Sequence, residues 1–180
     1  MDGRERGVTL LELLAGLALS ALLMMLAAPP FRELIAVNRA AGTAGTLMSS
    51  LFFARTEAVK RNRRVALCKS ADGESCAATG DWSQGWLVFV DEADFGVRNP
   101  AEEVVRVQQA LSGGFTLRNG NAAKWYAYRP DGSAASSGGL VTGTFRVCPG
   151  SGKGELAYRV ITNVTGRPRL AKGIGSLSCP

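Results

Sequence analysis

The sequence predicts an α+β chain in which one long N-terminal α-helix packs on an antiparallel two-sheet β-sandwich. Apolar residues run almost unbroken from Val8 to Ala28, then recur at helical spacing to about Asn62. After Arg64 they fall instead into eight short runs, separated by turn signals and with no helical stretch between them. Four cysteines, all beyond the apolar segment, set the compartment. Of the 180 residues, about 30 go to the first segment, and roughly 120–150 remain for one ordinary globular domain.

Composition excludes several function classes. Histidine is absent, so neither a Ser-His-Asp nor a Cys-His constellation can be built, and the His ligands of most zinc sites are missing. The sequence therefore assigns no enzyme activity, cofactor, metal or small-molecule substrate. The net charge of +6 is uneven: seven Lys/Arg against two Asp/Glu from Phe31 to Arg64, six against nine from Val65 to Phe145, and six against one from Arg146 to Pro180. The two basic regions suit phosphate polyanions or simply face water.

The first element opens with a short polar stretch, residues 1–7, that carries Arg4 and Arg6. Val8 to Ala28 follows, interrupted only by Thr9, Glu12 and Ser20. Twenty-one residues at 1.5 Å rise span about 30 Å, enough to cross a bilayer. The small residues Ala27 and Ala28 would also suit a secretory signal peptide. Glu12 decides against that layout, because a carboxylate inside an apolar span is costly and needs a partner.

Past Pro29 and Pro30, which should break the helix, an amphipathic continuation covers residues 31–64. Its apolar stripe is Leu34/Ile35, Ala41, Met48, Leu51/Phe52 and Val59, weakened by Gly42 and Gly45. Lys60, Arg61, Arg63 and Arg64 crowd the end, either as favourable charge on the helix dipole or as a phosphate patch.

The β-rich domain spans residues 65–180. Its expected strands are Val65–Cys68, Trp86–Val90, Val104–Gln108, Phe115–Arg118, Trp125–Tyr128, Thr144–Cys148, Leu156–Ile161 and Arg167–Leu170. Pairs such as Asp72-Gly73, Asn119-Gly120 and Asp131-Gly132 mark the turns. Arg129 to Gly143, rich in Gly, Ser and Ala, reads as a mobile loop. Trp82 and Trp86 read as core aromatics beside a turn. Asp91, Glu92 and Asp94 lack the spaced oxygen ligands of a calcium loop and read as a solvated acidic turn.

Cys68, Cys76, Cys148 and Cys179 contain no C-x-x-C spacing, which points to disulfides rather than a zinc ribbon or redox site. Three connectivities are open. The favoured one joins near neighbours, Cys68 to Cys76 and Cys148 to Cys179.

Gly7-Val8-Thr9-Leu10-Leu11-Glu12-Leu13-Leu14 resembles the type IV prepilin signature. The resemblance implies cleavage after Gly7 by a prepilin peptidase, methylation of the new N-terminus at Val8, and a filament-assembly role for Glu12 opposite a neighbour's terminal amine. Val8 departs from the Phe usual at that place in the family. Three further stretches resemble the GspH/FimT branch of minor pilins and pseudopilins: Ala54 to Asn62, Cys68 to Cys76, and Gly80 to Asp91. The implied fold is type IV pilin-like. The implied location is the bacterial inner membrane, single-pass with a periplasmic C-terminal domain, and then a filament whose partners are other pilins or pseudopilins.

Thr165-Gly166-Arg167-Pro168-Arg169 closes the list of features. Proline biases its neighbours to extended geometry, so Arg167 and Arg169 are expected on one face with Cα atoms roughly 6.6 Å apart. Two guanidinium forks at that spacing suit adjacent phosphates, with Lys172, and also Lys153 and Arg159, in reach of the patch. The Gly-Arg-x-Arg segment resembles one that FimT-type minor pilins use on DNA during natural transformation, which implies double-stranded DNA as a partner. A purely structural pilin or pseudopilin remains the competing expectation.

Overall fold

The computed structural model describes residues 7–120, 122–173 and 178–179, with only the backbone described for 26–30 and 32. The chain divides into two compact units, one ending at Ala36 and the other beginning at Val37.

In the first unit a helix, α1 (Leu10–Arg61), begins at a capped end: the Thr9 hydroxyl accepts the Glu12 backbone N–H at 3.2 Å. Thr9 and Glu12 are thus the cap and third residue of a helix start, where a carboxylate also meets the positive end of the dipole. The described apolar side chains from Val8 to Met25 are all exposed within this unit. Among the described residues no helix is long and apolar enough to cross a membrane, and the expected span runs into 26–30, whose side chains are not described. The helix continues past Pro29 and Pro30, as the expected amphipathic continuation requires. Proline's fixed φ is compatible with a helix, and each ring removes only one N–H donor.

In the second unit the buried face of α1 is Ala40, Ala44, Leu47, Leu51, Ala54 and Ala58. This corrects the expected stripe, of which only Leu51 is fully buried; Phe52 and Val59 are exposed. Four of these six apolar positions are alanines, with Ser50 and Glu57 buried beside them, which lets the helix approach the sheet closely, so the seam follows small residues rather than large ones. The helix ends on Asn62 at φ 52°, with the Asn62 N–H donating to Val59 O and the Arg63 N–H to Ala58 O. Those two bonds form a Schellman cap in which asparagine takes the left-handed position.

Among the described residues nine strands follow: β1 (Val65–Lys69), β2 (Trp86–Val90), β3 (Val104–Gln108), β4 (Thr116–Arg118), β5 (Trp125–Tyr128), β6 (Ala134–Ser136), β7 (Gly143–Cys148), β8 (Tyr158–Thr162) and β9 (Arg169–Lys172). They make two antiparallel sheets, ordered β3-β2-β1-β5-β6 and β4-β7-β8-β9. Strand β6 lies inside the stretch expected to be a mobile loop; its short Ala-Ala-Ser run is buried and pairs with β5. Alanine and serine carry little strand signal, and pairing rather than propensity orders them. Leu156 belongs to a 3₁₀ turn, Gly154–Leu156, so β8 starts two residues later than expected.

One core joins α1 to the inner faces of both sheets and includes Leu67, Val88, Tyr126, Leu117, Phe145 and Val160. Trp82 and Trp86 lie in it as expected, with Trp82 donating to Ala122 O at 2.9 Å and meeting Phe145 edge-on at 5.3 Å. The outer face of the five-stranded sheet is covered in turn by Phe95 and Trp125 over Ala66, Leu87 and Phe89. This explains why β1 and β2 are buried on both faces. Disulfides join Cys68 to Cys76 and Cys148 to Cys179, the near-neighbour pairing.

Candidate functional site

Of the leader expected at residues 1–7, only Gly7 lies among the described residues. Gly7 and Val8 are exposed, as is Glu12, whose carboxylate has no hydrogen-bond partner among the described residues. An exposed row of leucines with one unpaired carboxylate is an incomplete surface, suited to apolar surroundings and a cationic partner.

The basic end of α1 is not a phosphate patch. Arg61 pairs with Glu57 and Glu103, both at 2.6 Å, and Arg63 pairs with Glu92. Arg64 grips the fully buried carboxylate of Asp91 with two bonds, at 2.9 and 3.0 Å, and stacks over Phe95 at 4.0 Å. The acidic turn is likewise not solvated as a whole. Asp91 is buried and also accepts the Gly96 N–H, while Glu102 accepts backbone N–H groups of Glu92, Ala93 and Asn99. Burial opposes ionisation of Glu102, but the three N–H donors outweigh it and hold its pKa below the ordinary value. These charges are folding contacts, met by an opposite charge or, at Glu102, by backbone N–H groups.

The β8–β9 hairpin differs. Its turn closes with the Gly166 N–H donating to Asn163 O at 3.0 Å, and the Thr165 hydroxyl bonds Asn163 Oδ1 at 2.7 Å. Gly166 takes φ +71°, and a Cβ there would overlap the Gly132 carbonyl oxygen and come within 2.9 Å of Tyr128. Gly132 in turn is held by the Arg55 Nε of α1, which donates to its carbonyl at 3.1 Å. The glycine therefore sets how the next residues leave the core. Pro168 is buried, whereas Arg167 and Arg169 are exposed and have no ionic or hydrogen-bond partner among the described residues.

Register sorts the remaining candidates. Arg169 pairs with Ile161 and Lys172 with Tyr158. Tyr158 packs against the core, so Lys172 lies on the opposite side of β9 from Arg169 and does not join its cluster. Arg159, on the outward side of β8 with Ile161, does lie on the side of Arg169. Lys153 precedes the 3₁₀ turn and belongs to neither strand.

The sequence reading missed two neighbours. Arg118, Arg146 and Arg159 are direct cross-strand partners in β4, β7 and β8, forming one outward row. Arg118 is paired with Asp81 at 3.1 Å, and Arg146 donates to Ser178 O at 3.0 Å. Only register reveals such a row, because its members are 28 and 13 residues apart in the chain.

Comparison with known proteins accords with this geometry. The family model described as type II transport protein GspH matches residues 43–166, and that of the prokaryotic N-terminal methylation motif matches residues 2–28. Among solved structures, the type IV minor pilin FimU of Pseudomonas aeruginosa is similar at 21% identity. It has a TM-score of 0.59, with 78% of this chain and 99% of that one covered. The minor pseudopilin EpsH of the Vibrio cholerae type 2 secretion system is similar at 17% identity, with a TM-score of 0.52 and coverage of 74% and 97%. No curated protein sequence matches. A capped and exposed apolar helix start, one helix on two antiparallel sheets, and a family match over most of the chain agree, and the chain belongs to the GspH family of minor pilins and pseudopilins, structural subunits of filaments.

Proposed function

We propose that this chain is a minor pilin of a type IV pilus and that it holds double-stranded DNA, without sequence preference, through Arg167 and Arg169. The observation that carries the reading is the contrast in charge pairing. Arg61, Arg63, Arg64 and Arg118 each meet a carboxylate, whereas Arg167 and Arg169 stand exposed and unmatched among the described residues, on a proline-bearing turn. Fixed guanidinium forks without internal partners suit phosphate oxygens, and phosphate contacts carry no base information.

The same proposal takes Gly7–Val8 as the cleavage point of a prepilin peptidase, with Val8 as the methylated terminus. The exposed apolar helix start is held first in the inner membrane and then in the filament. Glu12 there meets the terminal amine of a neighbouring pilin, an ammonium being the natural partner of a carboxylate in apolar surroundings.

The test titrates the full chain, in a neutral detergent, against labelled duplex DNA at several salt concentrations, beside Arg167→Ala/Arg169→Ala. The reading expects sequence-independent binding that weakens with salt at a log–log slope of about −2 or steeper, and that the double variant loses. Equal inertness of both proteins at low salt overturns it and leaves the structural role, in a pilus or in a secretion pseudopilus, as the function.

A further inference from the structure

We infer that the nucleic-acid site is larger than the hairpin turn: Arg146 and Arg159, on the outward side of the four-stranded sheet, carry the phosphodiester backbone on from Arg167 and Arg169. This rests on the DNA-binding reading and extends it to residues that reading does not need.

The argument begins with a cost. Like charges directly opposite on neighbouring strands repel. Here Arg118 faces Arg146, and Arg146 faces Arg159, in adjoining strands. Asp81 answers Arg118 alone. Arg146 has a carbonyl, which does not neutralise it, and Arg159 has a buried Nε without a hydrogen-bond partner among the described residues. A half-buried guanidinium with an idle N–H, beside a second one, is a poor arrangement for the isolated chain. An anion lying between them relieves the repulsion of the two guanidiniums.

Position then selects the anion. The outward side of β9 bears Arg169 opposite Ile161, which is two residues from Arg159 on the same side of β8. Arg167 follows beyond Arg169, past the buried Pro168. Arg146, Arg159 and Arg169 therefore share the outward side of the sheet, and Arg167 continues from Arg169 into the turn. From β7 to β9 the sheet spans about 10 Å at ordinary strand spacing, the axial rise of about three nucleotides, and Arg167 extends the run beyond β9. From Arg146 to Pro180 the only acidic residue is Glu155, so the surface presents nearly uniform positive charge. A continuous run of cations matches a polyphosphate chain better than the scattered carboxylates of a protein partner.

The experiment reads the salt slope of duplex binding for the full chain in neutral detergent. Four phosphate contacts give a log–log slope of about −3.6, and two give about −1.8. Arg146→Gln/Arg159→Gln is expected to bind more weakly and to move the slope from the first value to the second. Arg146→Lys/Arg159→Lys, which keeps the charges, is expected to hold the wild-type slope. A wild-type slope near −1.8, or one unchanged by the Gln pair, overturns the extended site while the hairpin site stands. That result would leave the arginine row to an acidic protein neighbour. If the Lys pair flattens the slope as much as the Gln pair, the effect is structural and the inference fails. Absence of any binding removes this inference together with the reading beneath it.

Discussion

Replacing Gly166 by alanine would measure how tightly the β8–β9 turn is fastened to the core. Two costs act at that position. An L-residue at φ +71° is in the left-handed region, which costs about 1–2 kcal/mol. The added methyl also meets the Gly132 carbonyl and the Tyr128 ring, neither of which can swing aside, and such overpacking costs about 1–3 kcal/mol more. Gly139 supplies the control, because its φ is +76° but nothing lies within 4 Å of its would-be Cβ. Gly139→Ala should therefore show the backbone cost alone. At about 2–4 °C per kcal/mol, the midpoint of thermal unfolding followed by circular dichroism should fall by about 4–20 °C for Gly166→Ala and by about 2–8 °C for Gly139→Ala. Equal drops in the two variants, or a larger one for Gly139→Ala, would refute the packing argument. The turn would then rest on φ alone.

Two further perturbations test other parts of the molecule. Asp91→Asn leaves Arg64 without its buried counter-charge and should cost about 3 kcal/mol, read as a lower urea midpoint at unchanged m. The exposed Asp94, changed to Asn, should move that midpoint little, and similar effects from both would return the segment to a solvated turn. At high pH, burial pushes the Tyr126 hydroxyl up to about 12 and Tyr128 up further, from an ordinary value near 10. Between pH 10 and about 12 the unfolded chain thus gives up protons that the folded chain keeps. Stability is intact below pH 10 and falls as pH rises, by about 1.4 kcal/mol per unit for each tyrosine. Lys69, lowered by burial, acts with the opposite sign but only below its ordinary 10.5. Tyrosinate absorbance of more than one ring appearing before unfolding in this window, Tyr158 being the third and half-exposed tyrosine, would show that the buried rings are open to water.

The sequence by itself determined the long helix, the β-rich domain and most strand positions, because each is written in a local period of apolar residues. Trp86–Val90, Val104–Gln108 and Trp125–Tyr128 appear in the structure with the bounds their apolar runs suggest. The glycine–glutamate spacing of Gly7 and Glu12 is equally local, as is the Gly166-Arg167-Pro168-Arg169 segment.

Tertiary structure alone decided what depends on partners distant in the chain. Ala134–Ser136 became a strand because β5 offered it a ladder, not because alanine favours one. The buried face of α1 rotated onto its alanines because close approach to a sheet rewards small side chains, a gain invisible to a hydrophobicity count. Charge pairing followed the same rule. Asp91 is 27 residues from Arg64, and their encounter turned an acidic run and a basic run into mutual complements. Arg118, Arg146 and Arg159 came into line only through strand register, while Lys172 was carried to the opposite side of β9 by the strand's two-residue period. Local sequence specifies which element forms, but register and packing specify which charges meet, because Coulomb and hydrogen-bond energies fall away beyond a few ångströms in water.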